Sequence, residues 1–146
     1  MHLDHIQRRF EKLGQQGLEY RIAPAASTEA IDAAEHRLGV TFPEQVRRFY
    51  SAFDGIEVLD PPFKLYALEE MAREGSLLEF CLCDHVHRLA FETGQINHAG
   101  QWFIVNAETG YRITFTMASF WSIRMWSWIE LGRPIWYDFH GETAAE

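Results

Sequence analysis

The stretch IDAAEHRLGVTFPEQVRRFYSAFDGIE, residues 31–57, decides the fold, because it encodes two short amphipathic helices separated by a glycine stop. In the first helix, apolar residues recur at positions i, i+3 and i+7: Ile31, Ala34 and Leu38. Ser27 and Thr28 are its candidate N-caps. We expect Gly39 to end this helix, since glycine adopts a positive φ at low cost.

The second helix has its own start and stop signals. Thr41 and Glu44 stand three residues apart and predict a capping box, with Pro43 in the first turn of the helix. The pair Asp54-Gly55 is the predicted stop. The apolar stripe consists of Val46, Phe49, Tyr50 and Phe53. Each helix therefore has one apolar face, so both are expected to pack on another element.

The order of these residues resembles the opening motif of the SMI1/KNR4 family, also called the SUKH superfamily. That motif reads roughly I-x-x-x-E-x-x-L-G-x-x-L-P-x-x-Y-x-x-F-L, followed by N-G. The residues that carry the resemblance are Ile31, Glu35, Leu38, Gly39, Phe42, Pro43, Phe49, Tyr50, Asp54 and Gly55. Residues 65–70 and 118–129 are similar to a short strand with an acidic turn and to the closing helix of that family. In the centre, Gly100 is followed by Gln101-Trp102, where the family often has a glycine-aspartate pair.

The resemblance implies an α+β domain that works by binding another protein. Bacterial proteins that resemble this family are often immunity proteins, which occlude toxins such as nucleases, and fungal ones act in signalling and cell-wall regulation. Stoichiometric binding without a catalytic step is therefore implied, so we expect no enzyme activity and no cofactor. A general protein-interaction adaptor without a toxin partner shares these sequence features, and a small metal-dependent enzyme is a third alternative.

Composition and charge indicate one domain with a sizeable core and a protein partner. The chain has 146 residues, of which 47% are hydrophobic, and a domain of this length buries about 68–70% of its unfolded surface. The net charge of −8 argues against direct binding of nucleic acid, since phosphate neutralisation requires clustered Lys and Arg. An acidic surface instead suits a partner with a basic surface.

Cysteine content and hydropathy predict a cytoplasmic protein that does not bind membranes. Cys81 and Cys83 stand two residues apart, a spacing unsuited to a disulfide within one strand. Reduced thiols are typical of the cytosol. Residues 1–19 contain no apolar run of signal-peptide length, and no stretch approaches the roughly 18 apolar residues of a membrane span.

The remaining sequence predicts a single domain over residues 1–146. From about residue 80 the hydrophobic period changes from 3.6 to 2, which indicates strands. The predicted strands cover residues 63–66, 80–83, 88–92, 102–106 and 111–116. Short turns between consecutive strands favour an antiparallel sheet with the helices packed on one face, the α+β class. The other predicted segments are a helix over about 4–17, an extended linker over 20–26, a short helix or acidic loop over 69–79 and a frayed tail over about 138–146.

Four residues with metal-ligating side chains recur at every second position: Cys81, Cys83, His85 and His87. On one unbroken strand they would span roughly 20 Å at about 3.3 Å per residue. The donors of a tetrahedral zinc site lie within about 2.3 Å of one ion. We therefore favour buried thiols and a polar turn histidine over a metal site.

A catalytic site is the less favoured interpretation of the other histidines. Asn97-His98 lies in a glycine-bounded loop, where a histidine can act as a general base. The chain has no G-x-S-x-G, H-E-x-x-H, P-loop or G-x-G-x-x-G motif, and no nucleophile can be paired with this histidine from the sequence. A solvated turn is the favoured interpretation.

An acidic group follows Gly55 and is the first candidate for partner binding: Glu57, Asp60, Glu69 and Glu70, with Glu74 beyond them. A solvated acidic face is the default interpretation of such a group. In the functional interpretation it is a docking surface for a basic protein, which it attracts over long range.

The predicted C-terminal helix over 119–131 supplies the second candidate. Its core face is expected to contain Trp121, Met125, Trp128 and Ile129. Ile123 and Trp126 fall on the opposite, polar side, where the favoured expectation is that the tail residues Pro134, Trp136 and Phe139 cover them. If Trp126 is exposed instead, it is a candidate anchor for a toxin domain, since tryptophan is enriched at interface hot spots.

Overall fold

The computed structural model describes residues 1–137. Three helices occupy the first third of the chain: α1 (Leu3–Gln15), α2 (Thr28–Leu38) and α3 (Glu44–Tyr50). The strands are β1 (Tyr20–Ile22), β2 (Ile56–Val58), β3 (Phe63–Leu65), β4 (Ala72–Glu74), β5 (Leu77–Cys83), β6 (His87–Glu92), β7 (Phe103–Asn106) and β8 (Arg112–Thr114). The C-terminal helix has three parts: α4 (Met117–Ser119), a π-helical segment (Phe120–Met125) and α5 (Trp126–Leu131). The predicted tail over about 138–146 lies outside the described residues.

The eight strands form one antiparallel sheet, as predicted, in the order β1-β2-β3-β5-β6-β7-β8. The long central strand β5 pairs with β6 along one side, while β3 and β4 share its other side. The helices pack on one face, which confirms the α+β class. The sequence missed β1, β2 and β4, which have three residues each, whereas β3 and β8 are equally short and were predicted.

The paired helices form where residues 31–57 predict them. Ser27 is the N-cap of α2 and accepts a hydrogen bond from Ala30 N–H at 3.1 Å. Gly39 ends that helix with φ of 68°. The predicted capping box is wrong: α3 begins after Pro43, whose side chain cannot cap it, and the first-turn N–H of Gln45 donates to Gln101 Oε1 at 3.2 Å. Instead, Glu35 Oε2 accepts the Phe42 N–H at 2.7 Å, because α2 and α3 lie close enough for a carboxylate on one to reach the start of the other.

One continuous apolar core lies between the sheet and the helices. All four predicted core residues of α3 are buried, as are those of the C-terminal helix. Trp121 contacts the rings of Phe10, Phe49 and Phe63, which come from α1, α3 and β3. The C-terminal helix therefore joins the first helix, the helix pair and the sheet into one unit.

Candidate partner-binding site

The four predicted acidic residues lie along the β2–β3 hairpin and the 3₁₀ turn that follows it. Glu57 is the middle residue of β2 and both its neighbours on the strand are buried in the core, so its side chain lies on the opposite face of the sheet. Asp60 is exposed in the turn between β2 and β3. Glu69 and Glu70 belong to the 3₁₀ turn Leu68–Glu70 and are exposed. We call these four residues the acidic region; Asp60 lies at the turn end of the hairpin, and Glu69 and Glu70 follow its opposite end.

Two of the four carboxylates form ion pairs with bases on neighbouring strands. Glu57 Oε1 lies 3.6 Å from Arg21 NH2, across the β1–β2 ladder. Glu70 Oε2 lies 2.7 Å from Nζ of Lys64, the residue opposite Glu57 on β3. Arg21, Glu57, Lys64 and Glu70 therefore alternate in charge across this face, so Glu57 and Glu70 are partly neutralised.

The Lys64–Glu70 ion pair changes the pKa of both side chains. Partial burial opposes ionisation of Glu70, but hydrogen bonds from Lys64 and from the Ala67 N–H hold the pKa of that carboxyl below its ordinary value. The hydrogen bond to Glu70 raises the pKa of Lys64. Asp60 and Glu69 have no ion pair within residues 1–137. These two side chains carry the unneutralised negative charge of the acidic region.

Hydrogen bonds between side chains and backbone groups fix the acidic turn to the helical layer. Asp54 Oδ1 accepts the Leu68 N–H at 2.8 Å. From α2, the Arg37 guanidinium donates to the carbonyls of Leu68 and Met71 at 2.7 and 3.2 Å. From β4, Arg73 NH1 donates to the carbonyl at the end of α2 at 3.0 Å. The acidic side chains are therefore presented on a rigid support.

The face of the sheet opposite the helices was not recognised in the sequence as a possible binding surface. It carries a small apolar cluster composed of strand and turn residues: Ala90, Phe103 and Val105, with Leu77 and Ala107. Charged side chains surround this cluster, and three ion pairs cross it at 3.6–3.8 Å: Arg88–Glu79, Arg88–Glu108 and Arg112–Glu92. The alternation of these residues with buried ones along β5, β6 and β8 is the sequence signal that indicates this face.

Trp126 lies in the helical layer, away from the helix-free face that carries Glu57. Its ring is half-buried and packs against Phe10 and Trp121 at centroid distances of 5.1 and 5.5 Å. The Arg9 guanidinium lies over the ring, 4.7 Å from its centroid, and forms an ion pair with Glu130. α1, which precedes it by more than 100 residues, is therefore the element that covers Trp126 in part.

The expectation that Trp136 covers Ile123 and Trp126 is wrong. Trp136 stacks on His87 of β6 at 4.1 Å and meets Trp128 edge-on at 5.0 Å. Its carbonyl accepts a hydrogen bond from the buried amide of Asn106 at 2.7 Å. Ile123 remains 62% exposed. The segment after α5 therefore packs on the β5–β6 hairpin, and Phe139, named in the same expectation, lies outside the described residues.

The cysteines and histidines between 81 and 87 do not share one face. Cys81 and Cys83 are fully buried in the core, and burial raises the pKa of the Cys81 thiol well above its ordinary value, with a smaller effect from Cys83. His85 has φ of 66° in the β5–β6 turn and is exposed, whereas His87 stacks on Trp136. Within residues 1–137, no three His, Cys, Asp or Glu side chains are grouped so that they could hold a metal ion.

Hydrogen bonds of the Asn97 side chain hold the Asn97-His98 loop in place. Asn97 Oδ1 accepts the Ala99 N–H at 2.9 Å, and its amide donates to the Phe115 carbonyl at 2.8 Å. His98 is exposed and meets the Phe115 ring edge-on at 5.4 Å. Asn97 thus fixes the loop against the end of β8, and His98 packs on an exposed ring.

Comparisons with known proteins identify the family. The sequence profile of the SMI1 / KNR4 family (SUKH-1) matches residues 25–133, which covers α2 through α5 and all strands except β1. A comparison with functionally curated proteins found no significant match to the chain. Across the described part of the chain, no helix is both long enough and apolar enough to cross a membrane. Together with the helix pair and the antiparallel sheet, the profile match shows that this chain belongs to the SMI1/KNR4 (SUKH) family.

Proposed function

We propose that this protein is an immunity protein that acts in the cytoplasm and neutralises a bacterial toxin by stoichiometric binding. Family membership supports a protein partner, because the SUKH family includes immunity proteins. The observation that carries the proposal is the helix-free sheet face together with Asp60 and Glu69 of the acidic region, which are exposed and form no ion pair within residues 1–137. A face of this kind offers a broad surface for a partner, and its unneutralised charge suits a toxin domain with a basic surface.

The mechanism assigned to these residues has two steps. Asp60 and Glu69 attract the basic surface of the toxin over long range and accelerate encounter. Glu57 and Glu70 then exchange their present partners, Arg21 and Lys64, for bases of the toxin. Trp126 is the proposed apolar anchor on a second surface of the protein. No covalent step is required, since occlusion alone inactivates the toxin.

The test begins with the reading frame adjacent to the gene for this chain. If it encodes a long secreted protein with a variable C-terminal domain, that domain is expressed in cells with and without this protein. We expect rescue of growth and a 1:1 complex in titration calorimetry. A complex that forms without protecting the cells would favour the adaptor alternative, and the lack of any complex would contradict the proposal.

The role of the acidic region is tested separately with Asp60→Lys/Glu69→Lys. We expect the association rate constant to fall about tenfold at low ionic strength and its salt dependence to become shallower. The matched control is Glu29→Lys/Glu44→Lys, which makes the same charge change at exposed first-turn positions of α2 and α3. Stopped-flow binding at about 50 and about 300 mM NaCl measures both. Equal rates for the two variants would rule out the acidic region as the steering surface.

A further inference from the structure

The surface between α1 and the C-terminal helix has a charge opposite to that of the whole chain. A cavity of about 390 Å³ lies between these elements, and the Trp121 and Trp126 rings line it together with Ile6. His5 and Arg9 stand at its rim. We call this concave surface the α1 cleft. It combines an apolar floor with basic side chains in a protein whose net charge is −8.

Further bases extend this rim on both sides. Arg8 and Lys12 line a neighbouring cavity of about 520 Å³ along α1. Arg48 of α3 and Arg8 line a third cavity of about 410 Å³, together with one carboxylate, that of Asp4. His5, Arg8 and Lys12 recur at i, i+3 and i+7, so they form one basic stripe on the helix. Three adjoining cavities therefore lie along α1.

Within residues 1–137, most bases around the cleft have no carboxylate partner. Arg9 pairs with Glu130. Arg8, Lys12 and Arg48 form no ion pair within residues 1–137, and all three are exposed. By contrast, the basic side chains of the helix-free face, such as Lys64 and Arg88, each contact a carboxylate. Charge on α1 is therefore available to another molecule.

The floor of the cleft is formed by two tryptophans that differ in exposure. Trp121 is 2% exposed, and its indole N–H has no hydrogen-bond partner among the described residues. Beside it, Trp126 keeps part of its ring accessible, and Ile123 is exposed on the same helix. The accessible part of the Trp126 ring is therefore the part of the floor that can contact an apolar side chain of a partner.

We infer that the α1 cleft binds an acidic segment of a partner polypeptide. The segment places an apolar side chain against Trp126 and its carboxylates against Arg8, Lys12 and Arg48. The inference goes beyond the proposed function and does not depend on it, although both assign Trp126 to a binding surface. A polypeptide fits better than a nucleic acid, because the net charge of −8 repels a long polyanion, whereas a short segment meets only the local bases. A segment of this kind also supplies the apolar group that the floor requires.

The experiment uses the full chain as bait for a displayed random-peptide library. We expect the enriched peptides to combine several Asp or Glu residues with an aromatic or aliphatic residue. One enriched peptide is then labelled, and its dissociation constant is measured by fluorescence anisotropy. Enrichment of peptides without an acidic excess, or no enrichment at all, would overturn the inference, as would tighter binding of a labelled single-stranded oligonucleotide of about 20 nucleotides.

Variants locate the binding surface. Arg8→Glu/Lys12→Glu is expected to weaken the acidic peptide at least about tenfold, since each reversal turns an attraction into a repulsion. The matched control Arg21→Glu/Arg112→Glu makes the same charge change on the helix-free face and is expected to bind within about twofold of the parent. Trp126→Ala should also weaken binding, and its unfolding midpoint establishes that it is folded. Equal affinities across all variants would contradict the inference.

Two further outcomes distinguish an acidic partner segment from a second copy of the chain and from the toxin. If the chain associates with itself in sedimentation and Arg8→Glu/Lys12→Glu abolishes that association, the occupant is a second copy and the inference is wrong. If the toxin test fails while acidic peptides still bind through Arg8 and Lys12, the inference stands without the immunity function. If the toxin test succeeds but acidic peptides do not bind through Arg8 and Lys12, the inference is wrong and the proposed immunity function stands.

Discussion

Gly55 shows how a single residue controls the approach of two chain segments. Its φ is 107°, and a Cβ atom at this position would lie 3.0 Å from both the Ala67 nitrogen and the Leu65 carbonyl oxygen. Its own carbonyl accepts the Ala23 N–H at 3.0 Å. Glycine is therefore required here for its conformation and for its size. In the sequence, Gly55 predicts only the end of α3, because the approach of residues 65–67 depends on the tertiary structure.

Gly55→Ala is expected to lower the free energy of unfolding by about 3 kcal/mol, since backbone strain and overpacking act together. Gly110→Ala is the matched control: its φ is 78°, but a Cβ there meets nothing within 4 Å. The control should lose only about 1 kcal/mol. Urea denaturation measures both variants. Equal losses would show that the close contact at Gly55 contributes nothing.

At the scale of elements, Glu35 determines how α2 and α3 are joined. Its carboxylate accepts the Phe42 N–H and also the Arg47 guanidinium, at 2.7 and 2.9 Å. Arg47 bonds Asp32 at 2.7 Å as well, so one base on α3 bridges two acids on α2. This junction replaces the capping box that Thr41 suggests. Propensity rules miss it because the carboxylate comes from the preceding helix, and the acceptor of the first-turn Gln45 N–H is Gln101, 56 residues further along the chain.

Removal of the Glu35 carboxylate leaves the Phe42 N–H buried without a partner. We expect Glu35→Ala to reduce the free energy of unfolding by about 1–3 kcal/mol, measured by urea denaturation. Asp32→Ala also removes an ion pair to Arg47 but keeps the Phe42 hydrogen bond. Its loss should be clearly smaller. If the two variants lose the same stability, the hydrogen bond to Phe42 is not what holds the junction.

The elements differ in how well the sequence predicts them. Helices with a full apolar stripe were predicted close to their observed positions, as were β3, β6, β7 and β8, whereas β5 begins at Leu77, three residues before its predicted start. The short strands β1, β2 and β4 depend on pairing with neighbours and leave no periodic signal. The π-helical segment Phe120–Met125 is also invisible to a 100° wheel, although the predicted core face of that helix is correct. Within the candidate site, the sequence located the acidic region but not the ion pairs that partly neutralise it.

At the scale of the whole molecule, α1 is part of the core although it precedes the region that the family profile matches. Phe10 is fully buried and contacts the rings of Tyr20, Trp121 and Trp126. It therefore connects α1 to both β1 and the C-terminal helix. The sequence predicts the helix from its apolar spacing, but its position beside Trp126 follows from contacts across more than 100 residues.

Phe10→Ala is expected to reduce the free energy of unfolding by about 3–5 kcal/mol, because it leaves a cavity between three aromatic rings. Tryptophan fluorescence during denaturation measures this loss of stability, since two of the three rings belong to tryptophans. Ile123→Ala removes an apolar side chain that is 62% exposed on the same helix as Trp121 and should change stability by less than about 0.5 kcal/mol. A Phe10 variant as stable as the parent would show that the packing of α1 does not contribute to the stability of the core.

The basic rim of the α1 cleft has a consequence for motion in solution. Four of the 13 Lys and Arg residues lie around it, while the chain as a whole has a net charge of −8. Positive and negative charge are therefore separated across the molecule, which gives it a permanent electric dipole moment. In the field of a charged partner, such a moment experiences a torque within roughly 10 Å at 0.1 M salt. The protein would rotate into a preferred orientation before contact, so the dipole selects which surface the partner meets first.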